Sequence, residues 1–270
     1  MGDTYAHGHH ASVLRSHEWR SAENSAGYLL PHLRPGQRLL DVGCGPGNIT
    51  LDLARRVAPG PTFGFDYAAE VIDRARANTA DALADPDGPD LTFATADVYA
   101  LDRPDGSFDV AHAHQVLQHL TDPVAALTEI RRVLVPGGLL GVRDADYGAF
   151  TWSPANAGMT RWNELYHQIA RHNGAEPDAG RHLQAWVRAA GFTDIRVSTA
   201  TWTFADPDGR AFWANMWADR VEQSAFAVQA LEYDLSTEAE LAEVAAAWRA
   251  WAHEPDGFYV VLHTEVLATA

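Results

Sequence analysis

The chain has 270 residues, of which 47% are hydrophobic, and its 36 acidic against 20 basic residues give a formal net charge of −16. This charge repels nucleic-acid backbones and argues against a DNA or RNA substrate. All 20 basic residues are arginines, which excludes Schiff-base lysines and the P-loop lysine. The single cysteine, Cys44, excludes internal disulfides and cysteine metal clusters.

No apolar run approaches the roughly 18 residues that span a membrane, and the N-terminal MGDTYAHGHH lacks the apolar segment of a signal peptide. We therefore expect a soluble, cytoplasmic protein, built as one domain or as a core domain with a lid.

The first 36 residues begin with a polar, histidine-rich segment and continue with an amphipathic pattern that ends at Pro31. This pattern predicts a helical arm. His7, His9 and His10 could bind a metal ion, but three histidines on a polar tail are more often solvated. We therefore expect no metal there.

The most informative stretch is LLDVGCGPGNIT, residues 39–50, an apolar strand followed by a glycine-rich turn that opens a helix. Its glycines allow a sharp turn and let a ligand approach the backbone without meeting a side chain. Such a turn places free N–H groups at the N-terminus of a helix, which suits a carboxylate or a phosphate.

The turn has an acidic residue followed by G-x-G-x-G, and it departs from the dinucleotide fingerprint because Asn48 occupies the third glycine position. In this form it resembles motif I of the class I S-adenosylmethionine (SAM) methyltransferases. The resemblance implies that SAM is the cofactor and that the motif binds it through Asp41, Gly43, Cys44, Gly45, Gly47 and Asn48. In that family the helices before motif I fold over the cofactor, which makes Tyr5 and Arg15 candidates for contacts with it.

A second strand and helix follow, and Asp66 stands at the end of the strand that begins at Thr62. An acid about 20 residues beyond a glycine turn can accept hydrogen bonds from two ribose hydroxyls, and the resembled family has its acidic residue here. The alternative for Asp66 is an N-cap of the following helix. By the same resemblance, Tyr67 and Ala68 flank the adenine.

A third strand is predicted from Leu91 to Ala96 and is followed by Asp97 and Val98. In the resembled family the acid at this place binds the exocyclic amine of adenine, and the neighbouring backbone N–H meets a ring nitrogen. The alternative for Asp97 is a cap on a turn.

The segment from Gly106 to Asp144 is a second match, to the small-molecule methyltransferases of the menaquinone and ubiquinone type. It predicts a fourth strand, a short helix, a longer helix that starts near Pro123 and is stopped by Pro136, Gly137 and Gly138, and a fifth strand from Leu139 to Arg143, directly before Asp144. Ligands of open α/β sheets bind at the carboxyl ends of the strands. That rule places the following residues along one edge: Gly43, Asp66, Asp97, His114 and Asp144.

Together these elements predict an α/β fold: a Rossmann-like, doubly wound sheet of seven strands, mostly parallel, with an antiparallel last strand and helical lid insertions. We expect an N-terminal helical arm over the cofactor at residues 1–36 and a SAM-binding core at 37–146. A helical insertion follows at 147–175, and a helical lid insertion is expected at 206–255. The remainder of the core is then formed by residues 176–205 and 256–270.

Methyl transfer to a protonated acceptor needs a base, and histidine titrates near neutrality. The catalytic candidates are His114, His119 and Asp144, and His114 and Gln115 are also candidate neighbours of the cofactor. For each histidine the alternative is a packed, hydrogen-bonded side chain. Asp144 and Asp146 could hold a divalent ion as in catechol-type methyltransferases, but the rest of that ligand set is missing, so we expect no metal.

Aromatic residues concentrate after residue 147, in the two predicted insertions. We predict that the insertions exclude water and form an apolar acceptor pocket. Its predicted substrate-binding residues are Tyr147, Trp152, Trp162, His167, Trp213 and Trp217. The alternative is core packing, because aromatic residues at helical spacing usually face a neighbouring helix.

The sequence therefore predicts a SAM-dependent methyltransferase that acts on a small, fairly apolar metabolite, such as a quinone precursor or a secondary metabolite, through an oxygen, nitrogen, sulfur or carbon atom. We expect no nucleic-acid partner and no membrane span. Two alternatives stay open: a non-catalytic SAM-binding or regulatory protein, and an NAD-dependent oxidoreductase. Asn48 and the absence of a Tyr-x-x-x-Lys pair count against the second.

Overall fold

The structure is a computed structural model, and it describes residues 19–270. A central sheet runs through this part of the chain. Tyr5, Arg15 and the histidines of the N-terminal tail lie outside these residues. The sheet has eight strands within the described chain: β1 (Leu39–Val42), β2 (Thr62–Asp66), β3 (Leu91–Thr95), β4 (Phe108–His114), β5 (Leu134–Ala145), β6 (Thr151–Ser153), β7 (Thr193–Phe204) and β8 (Phe258–Thr269).

The strands follow the order β3-β2-β1-β4-β5-β8, and β1 to β5 pair in parallel. Strand β8 is antiparallel to β5, β6 and β7, which confirms the predicted antiparallel last strand. Strand β6 was not predicted. It has only three residues and pairs with the first residues of β8, beyond the point where β5 leaves that edge.

The helices within the described residues are α1 (Ala22–Ser25), α2 (Asn48–Val57), α3 (Ala69–Ala84), α4 (Pro123–Val133), α5 (Ala157–His172), α6 (Leu183–Ala189), α7 (Pro207–Gln223), α8 (Ala225–Glu232) and α9 (Glu238–Trp251). Short 3₁₀ turns stand at Leu30–His32, Leu117–His119, Tyr147–Ala149 and Ala179–His182. Several helices begin at a side-chain cap. Asp206, for example, accepts a hydrogen bond from the backbone N–H of Gly209 at 2.8 Å, and Pro207 fills the first helical position of α7.

Two predicted boundaries are wrong in detail. The amphipathic pattern before Pro31 forms only the short helix α1, because Ala26 has φ −135° and leaves the helical region one residue before Gly27. Strand β5 starts at Leu134 and contains the Pro136–Gly138 stretch, which we expected to precede it. Gly137 has φ +81°, and the pairing with β4 skips from Leu134 to Leu139 across this irregular stretch.

Apolar side chains that alternate along the central strands fill both faces of the sheet. Leu39 packs with Leu53 of α2 on one face, whereas Leu40 packs with Leu127 of α4 on the other. The two layers of helices hold the carboxyl ends of the strands in fixed relative positions.

The two insertions share an aromatic core of their own. Trp162 of α5 is fully buried, and its ring centroid lies 4.4 Å from that of Trp217 in α7 and 5.0 Å from that of Trp248 in α9. Tyr259 of β8 packs into the same cluster, so the insertion helices are anchored to the sheet. Within residues 19–270, no helix combines the length and the apolarity that a membrane span requires.

Candidate active site

A cavity of about 330 Å³ opens at the carboxyl ends of β1, β2 and β4, and residues of the insertion helix α7 form part of its wall. It brings together most of the residues that were predicted separately from the sequence. The predicted cofactor and catalytic residues that line it are Asp41, Gly43, Cys44, Gly45, Asn48, Asp66, Tyr67, Ala68, Asp97, Val98, His114, Gln115 and His119.

The glycine turn lines the cavity together with Asp66 and depends on backbone conformations that favour glycine. Gly43, Gly45 and Gly47 have φ values of +64°, +55° and +87°. A Cβ atom added to Gly43 would lie 2.4 Å from Cγ2 of Val116, so this backbone passes close to the loop after β4. Gly47 does not line the cavity; it is the N-cap residue of α2.

The carboxylate of Asp66 is fixed beside this turn. It accepts hydrogen bonds from the backbone N–H groups of Gly45 at 3.1 Å and Ala68 at 3.2 Å. The N-cap residue of α3 is Ala68, so Asp66 does not cap that helix. Asp97 lines the cavity and also accepts from the backbone N–H of Tyr99 at 2.9 Å, so the turn-capping alternative is compatible with a place in the site.

Asp41 is buried, and its carboxylate is hydrogen-bonded to two neighbouring side chains. It accepts a hydrogen bond from the hydroxyl of Thr50 at 2.6 Å and lies 2.7 Å from Nδ1 of His112. These contacts join the strand before the glycine turn to the helix after it and to β4. Asp41 therefore shapes the turn.

The histidines and Gln115 stand where β4 ends. His114 is 6% exposed, and burial, followed by the charge of Arg143, holds its pKa well below the usual value. Gln115 has φ +54°, a conformation uncommon outside glycine that tends to occur at functional sites. Nε2 of His119 lies 3.0 Å from the side-chain amide of Gln118.

Asp144 does not reach the cavity. Its side chain is fully buried, and it accepts a hydrogen bond from the backbone N–H of Gln118 at 3.2 Å, which supports the loop after β4. Burial raises the pKa of Asp144 to about 8. The carboxylate of Asp146 forms an ion pair with Arg181. The structure therefore does not bring these two carboxylates to the cavity.

The predicted acceptor residues divide into two groups. Tyr147, Trp213 and Trp217 line the cavity. Trp162 lies in the aromatic core of the insertions, and Trp152 stacks on Tyr259 with ring centroids 5.8 Å apart. Nε2 of His167 lies 2.8 Å from Oδ1 of Asp178. These last three predicted residues do not line the cavity.

Several cavity residues were missed by sequence reasoning. Trp202 belongs to β7, and its ring lies 4.4 Å from that of His263. The sequence does carry a signal for Trp202. It stands two residues before Phe204 in β7, so the two aromatic side chains share one face of the strand, whose other residues are mostly exposed. The residues missed include Arg20, Tyr99, His112, Phe150, Trp202, Arg220 and Val261.

Comparison with known proteins gives the same picture. Residues 33–191 of this chain match the family model of the methyltransferase domain. An uncharacterized methyltransferase of Schizosaccharomyces pombe is 32% identical over 268 residues, covering 97% of this chain and 95% of that protein. The 27-O-demethylrifamycin SV methyltransferase of Amycolatopsis mediterranei is 29% identical, and the alignment covers 97% of this chain and 89% of that protein.

Among solved structures, a putative methyltransferase from Bacillus halodurans superposes with a TM-score of 0.60 at 16% identity, covering 90% of this chain and 97% of that one. This likeness concerns the fold. The sheet order and the glycine turn at the carboxyl ends of its strands define a Rossmann-like nucleotide-binding protein. The chain belongs to the methyltransferase-domain family of class I SAM-dependent methyltransferases. Its cofactor is SAM, which decides against the NAD-dependent alternative.

Proposed function

We propose that the protein transfers the methyl group of SAM to a small, largely apolar acceptor that binds among the aromatic side chains of the insertions. The observation that carries this proposal is that one cavity has two chemically different ends. The glycine turn, Asp66 and Asp97 stand at one end, and Tyr147, Phe150, Trp202, Trp213 and Trp217 line the other.

The residues at the first end fit SAM. Gly43 and Gly45 line the cavity with backbone atoms alone, so a ligand can approach the turn without meeting a side chain at these two positions. Asp66 is the residue for the ribose hydroxyls, and Asp97 and Val98 are the residues for adenine. SAM supplies a methyl group that is already activated by its sulfonium. The protein has to bind and orient the two reactants and to keep water out.

The residues at the other end favour an apolar, aromatic acceptor. Trp213 is 5% exposed, and its ring stacks on Phe204 with centroids 4.4 Å apart, so it offers a fixed flat surface. One relative supports a secondary metabolite as the acceptor: the 27-O-demethylrifamycin SV methyltransferase, whose name gives a demethylrifamycin as the molecule that it methylates.

The test is methyl transfer from SAM with a labelled methyl group into a panel of hydroxylated aromatic compounds and into a metabolite extract. We expect label in a compound of the apolar, aromatic class, together with formation of S-adenosylhomocysteine. Saturable SAM binding without transfer into any compound would favour the non-catalytic alternative. Transfer only into polar, non-aromatic compounds would overturn the proposed acceptor class.

A further inference from the structure

Three charged or titratable side chains form a row across three neighbouring strands beside the cavity. His114 of β4 is the register partner of Arg143 in β5, and Arg143 is the register partner of Glu265 in β8. Register partners project from the same face of a sheet. Arg143 is fully buried, and its Nε atom lies 3.4 Å from Oε1 of Glu265 in an ion pair.

Arg143 touches two histidine rings through their Nδ1 atoms. Its Nη1 atom lies 3.5 Å from Nδ1 of His114, and its Nη2 atom lies 3.0 Å from Nδ1 of His263. Burial lowers the pKa of Arg143 to about 10, so the guanidinium stays charged at neutral pH. A guanidinium has only hydrogen-bond donors, so each Nδ1 atom must be an acceptor without a proton. Both neutral rings therefore carry their proton on Nε2.

The contact on the far side of His263 depends on how the side-chain amide of Gln115 is oriented. Nε2 of Gln115 lies 2.8 Å from Nε2 of His263, and an Nε2–H group on His263 can donate there only when the amide is turned to present its oxygen. The backbone N–H of Gln115 donates to the carbonyl of Arg143 at 2.7 Å. Gln115, which has a positive φ, is thus held on both sides.

His114 has no such contact at Nε2. This atom is buried and has no hydrogen-bond partner among the residues that the structure describes, and the side chain lines the cavity beside Trp202. A buried donor without a partner is costly, and in a binding site it is usually satisfied by the ligand.

We propose that His114 donates a hydrogen bond from Nε2 to an oxygen atom of the acceptor molecule, and that Arg143 is the positioning residue that fixes this tautomer. This inference rests on the proposed function and narrows its acceptor to a molecule with an oxygen that bears lone pairs, a phenolate or a carbonyl. His114 then recognises the acceptor and does not serve as the base. Burial and the nearby charge of Arg143 both lower the pKa of His114 and keep its ring neutral, which agrees with this role.

The tautomer can be observed directly by ¹⁵N NMR of the histidine rings, with the signal of His114 assigned from its absence in His114→Gln. We expect the Nε2–H form of a neutral ring between pH 6 and pH 8. A ring that is protonated on Nδ1, or an imidazolium in this range, would overturn the proposal. Arg143→Lys should weaken the preference for Nε2–H, because a single ammonium group cannot hold both Nδ1 atoms in the geometry of a guanidinium.

Binding is tested with 4-nitrophenol and with nitrobenzene, which has the same shape without the hydroxyl group, both in the complex with S-adenosylhomocysteine. The phenolate form of 4-nitrophenol is recognised by its absorbance. The wild-type protein should bind the phenolate roughly 10- to 150-fold more tightly than nitrobenzene, the worth of one hydrogen bond to a charged group. His114→Gln, whose amide can donate from a similar place, should keep most of this preference. His114→Leu should lose it.

An unchanged preference for the phenolate in His114→Leu would overturn the inference. Titration of each variant with S-adenosylhomocysteine in a calorimeter separates this result from a failure of the proposed function. Normal binding of S-adenosylhomocysteine with no role for His114 refutes only the inference. No binding of S-adenosylhomocysteine to the wild-type protein would refute the proposed function itself.

Discussion

Oδ1 of Asp41 lies 2.7 Å from Nδ1 of His112, and the two residues are register partners on β1 and β4. The carboxylate accepts, so Nδ1 of His112 carries the proton. Two residues further along β4, Nδ1 of His114 faces a guanidinium instead, with Nη1 of Arg143 at 3.5 Å. Two histidines on the same face of one strand thus direct the same ring atom at groups of opposite charge, one at a carboxylate and the other at a guanidinium.

Replacement of His112 tests the first of these pairs. His112→Phe leaves the buried carboxylate of Asp41 with only the hydroxyl of Thr50, and we expect the free energy of unfolding to fall by about 3 kcal/mol. Urea denaturation measures this change. The double variant with Asp41→Asn should recover part of the loss, since no charge is then left buried. A loss in the double variant equal to the sum of the losses in His112→Phe and Asp41→Asn would show that the pair contributes no coupling.

Asp66 is predicted to bind the ribose of SAM. Asp66→Asn should weaken SAM binding by roughly 1–3 kcal/mol, the scale for hydrogen bonds to a charged group, and calorimetric titration gives the affinity. Asp73→Asn is the matched control, because Asp73 is exposed on α3 and pairs with Arg76 at 3.1 Å. If both variants bind SAM as the wild-type protein does, Asp66 is not a ribose ligand.

The buried carboxyl of Asp144 makes stability depend on pH. Its pKa is about 8 in the folded protein and about 3.9 in an unfolded chain. Between these values the folded state retains a proton that the unfolded state has lost, so the free energy of unfolding falls as pH rises from about 4 to 8. Each pH unit crossed lowers it by at most about 1.4 kcal/mol. Asp144→Asn should remove this slope. The free energy of unfolding of the variant, relative to that of the wild type, should therefore be higher at pH 8.5 than at pH 5.5.

Denaturant titrations at both pH values measure this effect. Asp206→Asn is the control, because the pKa of the Asp206 carboxyl is shifted in the opposite direction to that of Asp144. The hydrogen bond from Gly209 lowers the pKa of Asp206, so its contribution is present above the unfolded value and is lost only in acid. The difference between Asp206→Asn and the wild type should stay constant from pH 5.5 to 8.5. A wild-type slope that persists in Asp144→Asn would assign the pH dependence to another group.

Two tryptophans of the insertions should respond differently to the same substitution. Trp213→Phe alters the cavity wall, and we expect the KM for the acceptor to rise about 2- to 10-fold, the equivalent of one aromatic contact, with SAM affinity unchanged. Trp162→Phe leaves space in the aromatic core and should lower the free energy of unfolding by about 1–3 kcal/mol without affecting the KM. Similar kinetic effects of both substitutions would contradict this division of the insertions into wall and core.

That the predicted cofactor residues would meet in one cavity could be predicted from sequence because their signals are local. The glycine turn and the acids Asp66 and Asp97 stand at fixed distances from strand ends, and strand ends follow from apolar patterns. The roles of the aromatic residues could not be predicted in this way. Trp162 and Trp217 look alike in sequence and both are buried, and only the packing of α5 against α7 decides that Trp217 lines the cavity and Trp162 does not.

Asp144 shows the same limit for polar residues. Its place at the end of a strand was predicted, but the direction of its side chain depends on the loop after β4, which it supports from behind. The contacts of Arg143 with His263 and Glu265 join residues about 120 positions apart in the chain. No local pattern marks such a pairing, because it depends on the register between β5 and β8.

Strand β8 gives the site an order of assembly in time. The glycine turn, Asp66 and Asp97 all precede residue 100, whereas Val261, His263 and Glu265 belong to the strand at residues 258–269. At the ribosome's rate of roughly 5–20 residues per second, β8 follows β5 by about 10 s. During that interval the nascent chain holds the whole glycine turn while Arg143 still lacks Glu265 and His263. The residues predicted to bind SAM are thus all synthesised before the strand that supplies the partners of Arg143.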